Sequence, residues 1–251
     1  MFSRFSNPAR FEALARRVGP AAFWVFAVCA AFGLVVGLFY SPEDYQQGDS
    51  VRIMYVHVPA AWMAMGAYVF IAAMSLIAFV WRHSLADFLA RSAAVPGAVF
   101  TALALFTGAV WGKPTWGVYW VWDARLTSML VLLFVYLGYI AVWQSVQEPM
   151  RAARFARILA LIGFINIPII KFSVDWWNSL HQPASILRFD GPTIHVSMLI
   201  PLFAMIIAYM ALFLWLVIAG VRADLAEQRR EKQHWRAPSR PALAVETEGG
   251  A

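Results

Sequence analysis

Six long apolar runs constrain this chain more than any other feature. A helix needs about 20 apolar residues to cross about 30 Å of hydrocarbon, where no water satisfies exposed backbone groups. Of the 251 residues, 61% are hydrophobic and 14% charged, against about 45–50% and about 25% in ordinary globular chains. The sequence therefore predicts an all-α integral membrane protein, a bundle of six transmembrane helices. The predicted spans are Val18–Tyr40, Met54–Trp81, Ser92–Trp111, Thr127–Gln147, Ile158–Trp176 and Ile194–Val221.

The fifth run is the weakest of the six. Only Ile158–Ile170 is free of charge, so we expect Lys171 to snorkel or the helix to end near the membrane surface. Pro168 and Pro201 lack a backbone N–H and are expected to kink their helices.

Lysine and arginine are unevenly divided between the two sides of the predicted bundle. Fifteen of the 20 lie on the side that holds both termini, and five lie in loops one, three and five. Because positive charge favours the cytoplasmic side, both termini are expected to be cytoplasmic. We expect a cytoplasmic N-terminus (1–17), a membrane domain (18–221) and a cytoplasmic tail (222–251) that is a helix extension followed by disorder. Membrane orientation thus accounts for the basic pI, and no nucleic-acid partner is expected.

Several function classes are excluded by absent motifs. Cys29 is the single cysteine, so the sequence has no CxxC redox pair and no CxxCH haem-attachment site. It also has no glycine-rich phosphate-binding loop, so ATP hydrolysis by this chain is not expected. We predict a binding and transfer component rather than an enzyme.

The segment "WGVYWVWDARLT" in loop three concentrates aromatic rings. An interfacial belt, which explains Trp24, Trp81 and Trp143, requires only one or two rings at each helix end. Indoles stack on flat conjugated ligands and keep one N–H for hydrogen bonding. We therefore interpret this loop as a ligand platform. Its aromatic residues are Trp111, Trp116, Tyr119, Trp120 and Trp122, and Trp176–Trp177 faces it from loop five.

Two histidines share the predicted outer face with this loop. His57 is expected just before the first turn of the second span, and His181 lies in loop five. Neutral imidazole is the usual axial ligand of haem iron, and a pair can ligate it from both sides. His195 begins the sixth span near the same surface and is either a third candidate ligand or a group bonded to a neighbour. His83 and His234 are predicted to be solvated on the opposite side.

Arginines near these histidines are candidates for binding the two carboxylates of a haem. Arginine binds a carboxylate through two parallel hydrogen bonds. The arginines on the predicted outer side are Arg52, Arg125 and Arg188. The alternative for Arg125 is a pair with Asp123 or with lipid phosphate. Asp123 itself is expected to cap the fourth helix or to orient the loop.

The stretch "WGVYWVWD" resembles the tryptophan-rich signature W-G-x-x-W-x-W-D of the haem-handling protein family. The longer match "WGKPTWGVYWVWDARLT", together with "RIMYVHVPAAW" and "WWNSLHQ", is similar to its haem exporter protein C branch, also called cytochrome c maturation protein C. The three motifs occur in the family's order, and the resemblance covers the six-span core.

This resemblance implies a site and a set of partners. It assigns His57 and His181 as the axial ligands of haem b at the periplasmic face of the bacterial inner membrane, and His195 has no match. It implies delivery of that haem to a periplasmic chaperone, cytochrome c maturation protein E. It further implies an ABC-type complex of an ATPase and a membrane subunit (maturation proteins A and B) and small membrane protein D. We predict that Trp116, Trp120 and Trp122 form the platform, flanked by Trp111 and Tyr119, and we keep Arg125 as a candidate ligand of a haem propionate.

Two other function classes stay open at this stage. A b-type cytochrome subunit of a quinol-linked enzyme usually buries its histidine pairs near the middle of the membrane, and a redox titration with quinol would identify it. A plain transporter, whose aromatic residues form only a belt, would copurify without haem.

Overall fold

The computed structural model describes residues 8–177, 179–181, 186 and 191–236. This part of the chain is helical and contains no β-strand. A π-helical turn, Val36–Tyr40, continues the first helix, and a 3-10 turn, Asp49–Ile53, leads into the second. The α-helices are α1 (Pro8–Val35), α2 (Met54–Trp81), α3 (Ser84–Trp116), α4 (Ala124–Ser145), α5 (Pro149–Gly163), α6 (Asn166–Trp176) and α7 (Val196–Arg236).

The prediction of six transmembrane helices is confirmed. Six stretches are long and apolar enough to cross a membrane, and α5 and α6 together form the fifth. The helix extension predicted after residue 221 continues to Arg236, whereas the disorder expected beyond it lies outside the described residues. Helix α3 begins at Ser84, before the apolar run that starts at Ser92, and Asp87 in its first turn forms an ion pair with Arg157 of α5 at 2.6 Å. That pair neutralises both charges and lets the polar end of α3 pack against its neighbour.

The fifth span is interrupted just before Pro168, although Phe164 and Ile165 keep right-handed helical backbone angles. Helix α5 ends at Gly163 and α6 begins at Asn166. Pro168 explains the position of the break, since it offers no N–H to the Phe164 carbonyl four residues earlier and its ring clashes with that group. Both α5 and α6 pack against α4, but only α5 packs extensively against α2.

Small residues let the two central helices approach closely. Helices α2 and α3 form the most extensive helix pair. Buried alanines at their contact, including Ala60, Ala64, Ala93 and Ala94, allow the dispersion contacts that hold helices together in lipid. Helix α1 is peripheral and packs mainly along α7. Helix α7 also packs against both α2 and α3 and contributes Leu202, Met205 and Val221 to the buried core.

Candidate functional site

A cavity of about 540 Å³ opens at the end of the bundle that the sequence predicts to be outer, between the beginnings of α2 and α4 and the ends of α3 and α6. Its size lies within the range of about 300–1,000 Å³ typical of ligand sites. The inner wall is apolar and includes Ala61, Trp62, Met65, Leu105 and Met129. The outer wall carries polar and charged side chains: Gln47, His57, Arg125, Lys171, Asp175 and His181. The cavity can therefore hold a molecule with one apolar edge and one charged edge.

His57 lies in the first turn of α2 and not before it, because the helix begins at Met54. Its Nδ1 is 3.0 Å from Thr107 Oγ1, and that hydroxyl donates its single proton to the Leu103 carbonyl oxygen at 2.7 Å. Thr107 must therefore accept from His57 Nδ1–H. This tautomer leaves the lone pair of Nε2 available to a metal.

Gly108 provides the space in which the His57 ring lies. A Cβ atom at this position would lie 2.9 Å from His57 Cε1. Trp111, one turn further along α3, meets the same ring edge to face with centroids 5.6 Å apart. The Trp111 indole N–H in turn donates to Gln47 Oε1 at 2.7 Å, which joins loop one to α3.

We expect Gly108→Ala to weaken ligand retention by about tenfold, the lower end of the effect of disturbing a group that supports a metal ligand. The new methyl group would displace the His57 ring, while alanine itself favours a helix by about 1 kcal/mol over glycine. The measurement is ligand content of the purified protein beside its melting temperature. Gly66→Ala is the matched control, since a Cβ there meets nothing within 4 Å, and equal retention by both variants would contradict this role of Gly108.

His181 is oriented by a carboxylate from loop three. Its Nδ1 is 2.8 Å from Asp123 Oδ2, and Ser179 Oγ donates to the same oxygen. Burial raises the pKa of Asp123, but hydrogen bonds from Ser179, the Leu126 backbone N–H and His181 outweigh it and hold that pKa below its usual value. Burial, only partly offset by Asp123, lowers the pKa of His181 below 6.5. The ring is thus neutral at pH 7, donates from Nδ1 to a carboxylate and keeps the Nε2 lone pair.

Asp123 performs both of the roles considered for it from the sequence. Its Oδ1 accepts from the Leu126 N–H at 2.8 Å and caps α4, while Oδ2 orients His181. Carboxylate support of a metal-binding histidine fixes its tautomer and raises its basicity.

We expect Asp123→Asn to reduce ligand retention by about 10- to 100-fold with little loss of stability. Asparagine caps helices about as well as aspartate, but it places a neutral amide against His181 Nδ1 and removes the charge that fixes the tautomer. Retention and melting temperature would be measured together. Asp123→Ala is the comparison, because it removes the cap as well and should also lower stability by about 1 kcal/mol; full retention by the Asn variant would show that Asp123 only caps the helix.

The tryptophan segment divides into two groups. Trp111 and Trp116 lie in the last turns of α3 and line the cavity, and Trp116 meets the His181 ring edge to face at 4.8 Å. Tyr119, Trp120 and Trp122 follow the helix and are not among the residues that line the cavity. Tyr119 is 60% exposed and Trp122 is 76% exposed. The buried Trp120 indole N–H has no partner in the described part of the chain.

Of the two candidate arginines that the structure describes, Arg52 and Arg125, only Arg125 lines the cavity. Its Nε donates to Ser173 Oγ at 3.2 Å. Arg52 instead pairs with Asp49 at 3.0 Å and donates to the Ser41 carbonyl oxygen, and Arg188 lies outside the described residues. Lys171, which the sequence placed in a snorkelling role, lines the cavity beside Asp175. The site thus offers two cations, one of which the sequence analysis did not assign to it.

His195 does not line the cavity. It is exposed, and its Nδ1 is 2.8 Å from Ser197 Oγ at the start of α7. Its hydrogen bond to this neighbour is one of the two roles left open for it by the sequence.

The fold and the site together define a multi-pass membrane protein with a paired-histidine cavity at one end of its helices. Over residues 1–236 the sequence matches the family described as Heme exporter protein C. A relative of that name from Bradyrhizobium diazoefficiens is 49% identical over 98% of this chain and 93% of its own length. Another from Haemophilus influenzae is 41% identical over 89% and 91%, respectively. A putative cytochrome c biosynthesis ccmC-like mitochondrial protein from Marchantia polymorpha is 50% identical over 69% and 73%. The chain belongs to the Heme exporter protein C family.

Proposed function

We propose that this protein binds haem b at the periplasmic face of the bacterial inner membrane, with His57 and His181 as axial ligands. Its family implies a role in haem delivery for cytochrome c maturation, as a membrane component of a delivery system rather than a catalytic subunit. The proposal assigns the whole cavity to haem, with the propionates at its charged outer end. Haem is cargo here, held until it is passed on.

The observation that carries the proposal is that both imidazoles of one cavity are fixed at Nδ1. Thr107 holds one ring and Asp123 the other, so each has Nε2 for iron. A hydrogen-bond acceptor on the far nitrogen is the usual support of a histidine that ligates a metal. The apolar inner wall suits the porphyrin ring, and Arg125 and Lys171 suit its two propionates.

The residues of the site bind haem and orient it, and the proposed function requires no catalytic step from them. Trp111 and Trp116 pack against the two histidines and restrict how each ring can rotate. The neutral state of His181 lets it bind iron at pH 7 without first losing a proton. Neutral imidazole ligands bind iron without releasing a proton, which suits a site that must bind haem and later release it.

We further propose that the exposed aromatic rings beyond the cavity bind the protein that accepts the haem. Trp122 and Tyr119 present large apolar faces beside the site, and such aromatic residues are frequent anchors of protein contacts. The partner would be the periplasmic haem chaperone, cytochrome c maturation protein E. An ABC-type ATPase, its membrane subunit and a small membrane protein (maturation proteins A, B and D) would then release the loaded chaperone.

The test is to purify the protein without the other maturation proteins and record its absorption spectrum, then add the chaperone without haem. The proposal requires haem in the isolated protein and its transfer to the chaperone. A protein free of haem, expressed with adequate haem supply, would refute it.

A further inference from the structure

The cavity has a second boundary, between α2 and α6, that faces the lipid. Helix α2 packs on α5 up to the break in the fifth span: Tyr68 Oη donates to the Leu159 carbonyl oxygen at 3.3 Å. At Gly163, the last residue of α5, a Cβ atom would overlap Tyr68 Oη. The lower part of this boundary is therefore closed.

Above the break, α6 turns toward α4 and away from α2. Asn166 Nδ2 donates to the Ser128 carbonyl oxygen at 2.8 Å, and Ser173 accepts from Arg125 of α4. Helices α2 and α6 scarcely pack against each other. No hydrogen bond or ion pair joins α6 to residues 54–69 of α2, the part that borders the cavity, and both stretches are fully described. The break thus separates a closed inner half from a loosely packed outer half.

The walls of this gap are apolar and belong to the cavity. Trp62 and Met65 line it from α2, and Ile170 and Val174 line it from α6. Met65 lies eleven residues after the start of α2, which at 1.5 Å per residue is about 16 Å along a hydrocarbon layer about 30 Å thick. Nearby Val69 and Phe164 are exposed on the lipid-facing surface. The cavity therefore reaches membrane depth on its lipid side.

The side toward water is more firmly joined. Gln47 of loop one is hydrogen-bonded to Trp111 of α3. Asp123 of loop three accepts hydrogen bonds from both Ser179 and His181 of loop five. Opening the cavity toward water would break these hydrogen bonds. Widening the gap between α2 and α6 would break no hydrogen bond between the described parts of the two helices that border the cavity.

We propose that the gap between α2 and α6 is a lateral opening through which haem enters the cavity directly from the outer half of the bilayer. The inference rests on the proposed function for the identity of the cargo. The apolar edge of the porphyrin would pass between Trp62 and Ile170. Its carboxylates would stay at the level of Lys171 and Arg125, at the charged outer end.

A removable tether across the gap tests this route. Gly66 of α2 is exposed and Ile167 of α6 is half-buried, and neither residue lines the cavity. Gly66→Cys and Ile167→Cys, in a Cys29→Ala background, would be joined by bifunctional maleimides of increasing length in the full chain reconstituted in liposomes. Haem would be supplied either dissolved in the bilayer or on a water-soluble carrier protein outside, and loading followed by absorbance.

Tethering before loading should slow uptake of bilayer haem by at least about tenfold, as expected when a gating motion is blocked. Tethering after loading should leave the bound haem and its spectrum unchanged, which separates access from binding. Each single-cysteine variant treated with the same reagent is the control and should load at the normal rate. Equal rates of bilayer uptake with and without the tether would overturn the lateral route. Absence of haem binding in the untethered protein would instead refute the proposed function.

Discussion

Replacing both His57 and His181 by alanine should remove nearly all haem from the purified protein. Each substitution removes one iron ligand, and a loss of only about 1.4 kcal/mol weakens binding tenfold. Two such losses leave stacking on Trp111 and Trp116 and pairing with Arg125, which are weaker than ligation. Single variants should retain less haem than the wild type, and added imidazole should partly restore retention by occupying the vacated position.

His195→Ala is the matched control for these variants. It removes an imidazole from the same end of the molecule, but His195 is bonded to Ser197 and does not line the cavity. Its haem content should equal that of the wild type. Wild-type haem content in the double His57→Ala, His181→Ala variant would show that the ligand assignment is wrong.

The second large effect separates holding haem from passing it on. The Trp120→Ala, Trp122→Ala double variant should keep its haem but transfer it to the chaperone about 30-fold less efficiently. Neither ring is among those that line the cavity, whereas an aromatic anchor of a protein contact typically contributes about 2 kcal/mol. The unpartnered indole N–H of Trp120 is a donor that a docked partner can satisfy. The measurement is the amount of covalently haem-loaded chaperone formed in membranes that carry each variant.

Two further tryptophans provide the comparison. Trp116→Ala should lower haem content as well as transfer, because this ring packs against His181 inside the cavity. Trp24→Ala should change neither, because this exposed ring lies on the peripheral helix α1. Normal chaperone loading by the Trp120→Ala, Trp122→Ala variant would contradict a docking role and show that these two residues only form part of an interfacial belt.

Hydropathy predicted the fold well because the membrane dictates element lengths. Six apolar runs of sufficient length allow few structures other than six helices. The details that failed depend on contacts between distant residues. Asp87, near the start of α3, forms an ion pair with Arg157, and the two residues are 70 apart in the sequence. The interruption between Gly163 and Asn166 lies where Pro168 predicts a kink, but the helices that α5 and α6 meet do not follow from the sequence.

The candidate site was predictable in its residue types but not in its geometry. Unusual side chains concentrate on one predicted face, so the sequence alone groups His57, His181, Trp111, Trp116 and Arg125. It does not identify the groups that support them. Thr107 is 50 residues from His57 and Asp123 is 58 from His181, and Gly108 is one small residue among many in α3. The separation of Trp120 and Trp122 from the cavity is equally hidden in the sequence, because it depends on α3 ending at Trp116.

Electron paramagnetic resonance of the ferric protein, purified with its bound haem, tests the central proposal most directly. Two neutral imidazoles on one iron give a six-coordinate, low-spin signal, and we expect this signal from the wild type. His57→Ala and His181→Ala should each convert it to a high-spin, five-coordinate signal, with imidazole restoring the low-spin form. A wild-type signal that is high-spin, or a low-spin signal that survives both substitutions together, would contradict a haem held by His57 and His181.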